Sequence, residues 1–77
     1  MAELALRKAF GAVVRNLRLE KGLSQEELAF EVGISRNYVS LVELGQHSPS
    51  LDKIGKLAKV FGLSASGLIA RAERHLK

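Results

Sequence analysis

The segment from Ser24 to Leu44 constrains the fold of this chain more than any other part of the sequence. It predicts two short helices joined at Gly33, because glycine readily takes the left-handed conformation that ends a helix and opens a turn. Ala29 is small enough to let the two helices approach closely. The aliphatic residues that fall on the inward faces of both helices are Leu28, Val32, Ile34, Val39 and Val42. This layout predicts a helix-turn-helix, in which the second helix enters a DNA major groove.

Hydrophobic period and capping residues predict three further helices, one before this pair and two after it. The first helix places its apolar residues at the i, i+3, i+4, i+7 spacing of one helical face: Leu6, Phe10, Val13, Val14 and Leu17. Four serines stand where helices begin: Ser24, Ser35, Ser50 and Ser64. The fourth helix is expected to bury Leu51, Ile54, Leu57, Ala58 and Phe61. The sequence therefore predicts an all-α, compact five-helix domain that occupies residues 1–77, with the helix-turn-helix at residues 24–44.

Composition narrows the classes of function. A chain of 77 residues makes one domain, and a net charge of +4 favours a polyanionic partner. The absence of cysteine excludes disulfides and cysteine-based zinc sites, and mildly favours the cytoplasm. The sequence has no long apolar run for a membrane span, no phosphate-binding glycine loop and only two histidines, in no catalytic or metal-ligand pattern. We therefore expect no enzyme, no cofactor, no metal, no small-molecule ligand and no membrane partner.

Two motifs flank the predicted pair of helices. They are Arg18-Leu-Glu-Lys-Gly-Leu-Ser-Gln-Glu-Glu-Leu-Ala29 and Glu43-Leu-Gly-Gln-His-Ser-Pro49. Together with the predicted helix-turn-helix, these two motifs resemble the helix-turn-helix family of phage lambda repressor and Cro, often called the XRE family. The resemblance extends over residues 10–70. It implies a lambda-repressor-like DNA-binding domain whose partner is double-stranded operator DNA.

The third helix is predicted to present Arg36, Asn37, Ser40, Leu41 and Leu44 on the face opposite its core residues. Arginine can donate two hydrogen bonds to guanine, and asparagine can pair two ways with adenine. The resemblance places the first turn of this helix deepest in the groove, so we predict that Arg36 and Asn37 read bases. Ser40 could reach a base or a phosphate. Leu41 stands where several relatives have a polar residue; it meets a thymine methyl or fills the groove edge, and Leu44 is expected to pack over the following turn.

Phosphate contacts are predicted at two places. Gln25 lies at the start of the second helix, where free N–H groups and the helix dipole favour an anion. The resemblance implies that its backbone and side chain hold a phosphate. It also implies contacts with the DNA backbone on the other side of the groove. The residues that would make them are Ser35, Tyr38, Gln46, His47 and Ser48. The alternatives are a Tyr38 ring that packs beside Val42 and a solvent-exposed His47.

The resemblance further implies an ion pair between Arg18 and Glu43 that joins the first helix to the third. The alternative is that Arg18 contacts a phosphate. Members of the family mostly form two-fold dimers, and we expect a dimer contact near four residues of the fifth helix and the turn before it: Leu63, Leu68, Ile69 and Arg71. The alternative is that most of these apolar residues belong to the core.

The sequence thus predicts a transcriptional regulator that binds an inverted-repeat operator as a homodimer, through a recognition helix that starts at Ser35. The alternative is a protein-interaction module of the same fold, such as the antitoxin partner of a toxin. Phage repressors, restriction–modification controllers and antitoxins all occur in this minimal form. The run Arg36-Asn-Tyr-Val-Ser40 most resembles that of the controllers.

Overall fold

The computed structural model describes the backbone of residues 2–76 and the side chains of residues 5–76. Over these residues the chain forms five helices and no strand. They are α1 (Ala2–Glu20), α2 (Gln25–Val32), α3 (Arg36–Glu43), α4 (Leu51–Val60) and α5 (Ala65–His75). The predicted all-α, five-helix fold is therefore confirmed.

Serine hydroxyls define the start of four of these helices. Each of the four predicted serines has extended backbone and accepts a hydrogen bond from the N–H three residues further on. At α2 the bond is reciprocal: Ser24 Oγ accepts from the Glu27 N–H at 3.0 Å, and Glu27 Oε1 accepts from the Ser24 N–H at 2.8 Å. Because these bonds span only three residues, the sequence alone is enough to set the helix starts.

The core lies where the helices meet. α1 packs on α3 and α5, α2 packs on α3 and α4, and α4 packs on α5. The largest fully buried side chains are Leu28, Leu57, Leu68, Val14, Val39 and Val42. Leu51 departs from the sequence prediction, since 79% of it is exposed. It is the first residue of α4.

Gly11 marks the closest approach between α1 and α3. A Cβ atom built on Gly11 would lie 2.2 Å from the Val42 carbonyl oxygen and 2.7 Å from that of Glu43. Both are backbone atoms, which cannot move aside without shifting the helix. The lack of a side chain at Gly11 therefore lets the end of the third helix rest directly on the first.

Within residues 2–76, no helix combines the length and the apolar character that crossing a bilayer requires.

Candidate nucleic-acid interface

The turn between α2 and α3 is formed as the sequence predicts. Gly33 has φ +80° and ψ +36°, and its N–H donates to the Ala29 carbonyl at 2.8 Å. The Ile34 N–H donates to the same carbonyl at 3.0 Å. Ala29 itself is 4% exposed, packed between the helices. The left-handed Gly33 thus ends α2 and sets the direction in which α3 leaves.

The third helix has one buried and one exposed face. Val39, Val42 and Glu43 are buried. Arg36, Asn37 and Leu44 are exposed, while Ser40 and Leu41 are half-buried. The residues predicted to face DNA therefore form one outward stripe. The expectation that Leu44 packs over the following turn is wrong: its side chain is 60% exposed, because the chain turns away at Gly45 and leaves it uncovered.

A buried ion pair fixes α3 to α1. Arg18 donates from Nε to Glu43 Oε2 at 2.6 Å and from Nη2 to Glu43 Oε1 at 3.1 Å. Its Nη1 donates to the Leu23 carbonyl at 2.9 Å. Arg18 is only 7% exposed and Glu43 8%. All three guanidinium nitrogens are thus engaged inside the fold, in the arrangement that the resemblance implies.

Gln25 joins the same cluster from the start of α2. Its Nε2 donates to Glu43 Oε1 at 3.1 Å, so the side chain predicted to hold a phosphate is partly engaged inside the protein. An amide nitrogen carries two hydrogens, and one remains for another acceptor. The Gln25 backbone N–H lies at the first position of α2, where the helix itself offers no acceptor. One carboxylate therefore positions elements from three helices.

The other predicted phosphate contacts lie around the start of α3 and the loop after it. Ser35 is exposed and caps α3, accepting from the Tyr38 N–H at 3.0 Å. Tyr38 is half-buried, and its ring meets that of His47 edge to face, with centroids 4.8 Å apart. Gln46, His47 and Ser48 are exposed. The Tyr38–His47 contact was not predicted from the sequence, since it depends on how the chain turns after α3.

The residues predicted at a dimer contact separate into two groups. Leu68 is 0% exposed and belongs to the core, so its assignment to a dimer contact is wrong: α5 turns this side chain inward. Leu63 and Ile69 pack against the core but are half-buried, and Arg71 is exposed. These three remain near the surface.

Among the side chains of residues 5–76, no group of histidine or carboxylate residues is placed to hold a metal ion. The pKa of Glu27 lies below its ordinary value, mainly because its carboxylate accepts from the Ser24 backbone N–H, with a further contribution from the Ser24 hydroxyl. Negative charge is therefore stabilised at the start of α2.

The fold and the outward stripe of α3 define a helix-turn-helix domain of the lambda-repressor type. The sequence model described as HTH_3, helix-turn-helix, matches residues 14–68. The chain therefore belongs to the HTH_3 helix-turn-helix family, an XRE-like family of DNA-binding transcription regulators and not an enzyme class.

Three similar proteins illustrate this membership. The control protein C.BamHI of Bacillus amyloliquefaciens is 43% identical over 65 residues, which cover 83% of this chain and 80% of that protein. The CTXphi transcriptional repressor RstR of Vibrio cholerae is 36% identical over 67 residues, which cover 87% of this chain and 60% of RstR. The crystal structure of the restriction–modification controller C.AhdI from Aeromonas hydrophila superposes with a TM-score of 0.77 at 46% identity, covering 88% of this chain and 98% of that one.

Proposed function

We propose that this regulator binds an inverted-repeat operator as a homodimer, with α3 of each subunit in a major groove. The observation that carries the proposal is the two-faced character of α3. Val39 and Val42 are 1% and 2% exposed, while Arg36 and Asn37 are exposed in the first turn. A helix anchored on one face presents its opposite donors in a fixed direction, as base readout requires.

Each residue of the outward stripe has a role that fits its chemistry. Arg36 would donate to the O6 and N7 atoms of a guanine, and Asn37 would pair with an adenine. Ser40 is half-buried, so its hydroxyl reaches only a base edge or phosphate close to the helix. Leu41 has no polar atom and would contact a thymine methyl.

Phosphates on the two sides of the groove would position α3. On one side, the remaining amide hydrogen of Gln25 and its backbone N–H would donate to one phosphate. On the other side, the contacts would come from Ser35, Tyr38, Gln46, His47 and Ser48. Such contacts set register without reading sequence. The edge-to-face packing of His47 on Tyr38 supports their acting together.

We infer that the dimer contact involves Leu63, Ile69 and Arg71, without Leu68. Leu63 and Ile69 are half-buried in the monomer, so part of their apolar surface is available to a second copy. A two-fold dimer of this type reads half-sites about 34–36 Å apart, one turn of DNA. The two subunits then read the same bases in inverted order.

Similarity to two control proteins, one of them a restriction–modification controller, favours regulation of a restriction–modification operon. RstR, a phage repressor, indicates the other main possibility, control of phage genes. In either setting the partner is double-stranded DNA, and we expect the protein to act in the cytoplasm. The operator-bound protein would block polymerase or contact it.

Selection of bound duplexes from a random DNA pool at near-physiological salt tests the proposal. We expect enrichment of an inverted repeat whose half-sites lie one helical turn apart, with the protein sedimenting on it as a dimer. A single unrepeated motif would contradict the homodimer. Binding without any enriched motif, or no binding, would instead favour a protein-interaction module of this fold.

A further inference from the structure

A groove of mixed polar and apolar lining runs beside α3 and is formed by three helices. Its wall on α1 carries Arg15 and Asn16, and Gln25 contributes the start of α2. From α3 come Ser40, Glu43 and Leu44. The groove thus connects the stripe that the proposed function places in the major groove with the residue that it places on a phosphate.

Among the side chains that the structure describes, the one charge in this groove that the protein leaves unpaired is positive. Glu43 is the one carboxylate among its lining residues, and Arg18 and Gln25 already occupy that carboxylate. Arg15 is exposed, and within residues 5–76 it forms no ion pair. The groove therefore offers a guanidinium whose charge is not neutralised by the protein.

The end of α3 lacks a polar group that could reach DNA from this side. Leu44, 60% exposed at that end, can neither donate nor accept a hydrogen bond. Arg15 lies across the same groove on the neighbouring helix and carries five N–H donors suited to phosphate oxygens. A cation from α1 is thus placed where α3 itself has none.

We propose that Arg15 contacts a DNA backbone phosphate at the edge of the major groove that holds α3. The inference rests on the proposed function and adds a contact from the first helix. The ligand is a phosphodiester oxygen of the strand that also passes the start of α2. Arg15 contributes affinity and register, and it reads no base.

The salt dependence of operator binding tests this contact. Affinity for the selected operator is measured at several salt concentrations for four proteins: wild type, Arg15→Gln, Arg15→Lys and the control Lys59→Gln. Each neutralised phosphate contributes about 0.9 to the slope of log K against log salt. Because the homodimer makes this contact once in each half-site, we expect the slope of Arg15→Gln to decrease by about twice that amount, with unchanged base preference. The slopes of Arg15→Lys and Lys59→Gln should remain near wild type.

An unchanged slope for Arg15→Gln, or an equal decrease for Lys59→Gln, overturns the inference while the proposed function stands. Failure of the wild-type protein to bind any duplex specifically overturns both. A second measurement locates the phosphate: duplexes with a single neutral methylphosphonate are scanned across the operator. At one position per half-site the substitution should weaken wild type severalfold and leave Arg15→Gln unaffected. Equal losses for both proteins at every position would refute the contact.

Discussion

Arg18 and Glu43 are separated by 25 positions in the sequence, and two parallel hydrogen bonds of 2.6 and 3.1 Å join them. Because Glu43 is the last residue of α3, this pair fixes the end of α3 to α1. Gln25 donates to the same carboxylate and brings in the start of α2. The Glu43 carboxylate is therefore expected to support both the stability of the domain and the orientation of α3.

Removal of either partner should destabilise the domain strongly. Arg18→Ala leaves the Glu43 carboxylate buried with only Gln25 as donor, and we expect a loss of about 3–5 kcal/mol in the free energy of unfolding. Urea denaturation followed by circular dichroism measures it. Arg15 is an exposed arginine on the same helix, so Arg15→Ala serves as the control. It should change the free energy of unfolding by no more than about 0.5 kcal/mol.

The double variant Arg18→Met, Glu43→Leu separates a buried-charge penalty from a general packing loss. Without an unpaired charge, it should be more stable than Arg18→Ala alone. A loss below about 1 kcal/mol for Arg18→Ala would contradict the role assigned to the pair.

Gly11→Ala should destabilise the domain and weaken DNA binding. The new methyl would meet the Val42 and Glu43 carbonyl oxygens, so α1 and α3 must separate, at a cost of about 1–3 kcal/mol. Gly55→Ala is the matched control, since a Cβ atom there meets nothing within 4 Å. It should stabilise α4 by up to about 1 kcal/mol. The same sign of change in both variants would argue against the close contact at Gly11.

The capping box should make stability depend on pH in the acid range. Glu27 has a lowered pKa in the folded protein, so its contribution is complete above the ordinary value of 4.5 and is lost as pH falls through the lower folded value. Glutamine can still accept from the Ser24 N–H but does not titrate. The stability difference between wild type and Glu27→Gln should therefore shrink below pH 4.5. Glu26→Gln, one residue away and outside the capping box, controls for a general loss of negative charge.

Substitutions of Arg36 and Gln25 should affect DNA binding in different ways. Arg36→Ala is expected to cost about 1–3 kcal/mol of binding free energy and to relax preference at one base pair of each half-site. Gln25→Ala should weaken binding to all sequences alike, because a phosphate contact carries no base information. Repeating the duplex selection with both variants measures this. A changed base preference for Gln25→Ala, or an unchanged one for Arg36→Ala, would reverse their roles.

Local signals explain why the helices could be predicted. Ser24 and Glu27 satisfy each other within one turn, and Gly33 supplies the one backbone conformation that the tight turn needs. Neither depends on distant parts of the chain. The two-faced character of α3 follows in the same way from the spacing of Val39 and Val42. The Arg18–Glu43 pair was implied only by the family resemblance, since residues 25 positions apart share no local pattern.

The number of helices, the starts of four of them and most of their inward-facing residues could be predicted from the sequence, because hydrogen bonds and hydrophobic period act within a few residues. The packing of the helices against one another decided which apolar residues are covered. Leu51 fits the helical period yet is 79% exposed, and Leu68, expected at a surface contact, is fully buried. It also decided that Gly11 lies under the carbonyls of α3 and that Arg15 faces the groove beside Leu44. These relationships depend on how the helices are placed against one another, and helix packing is set by the whole core at once.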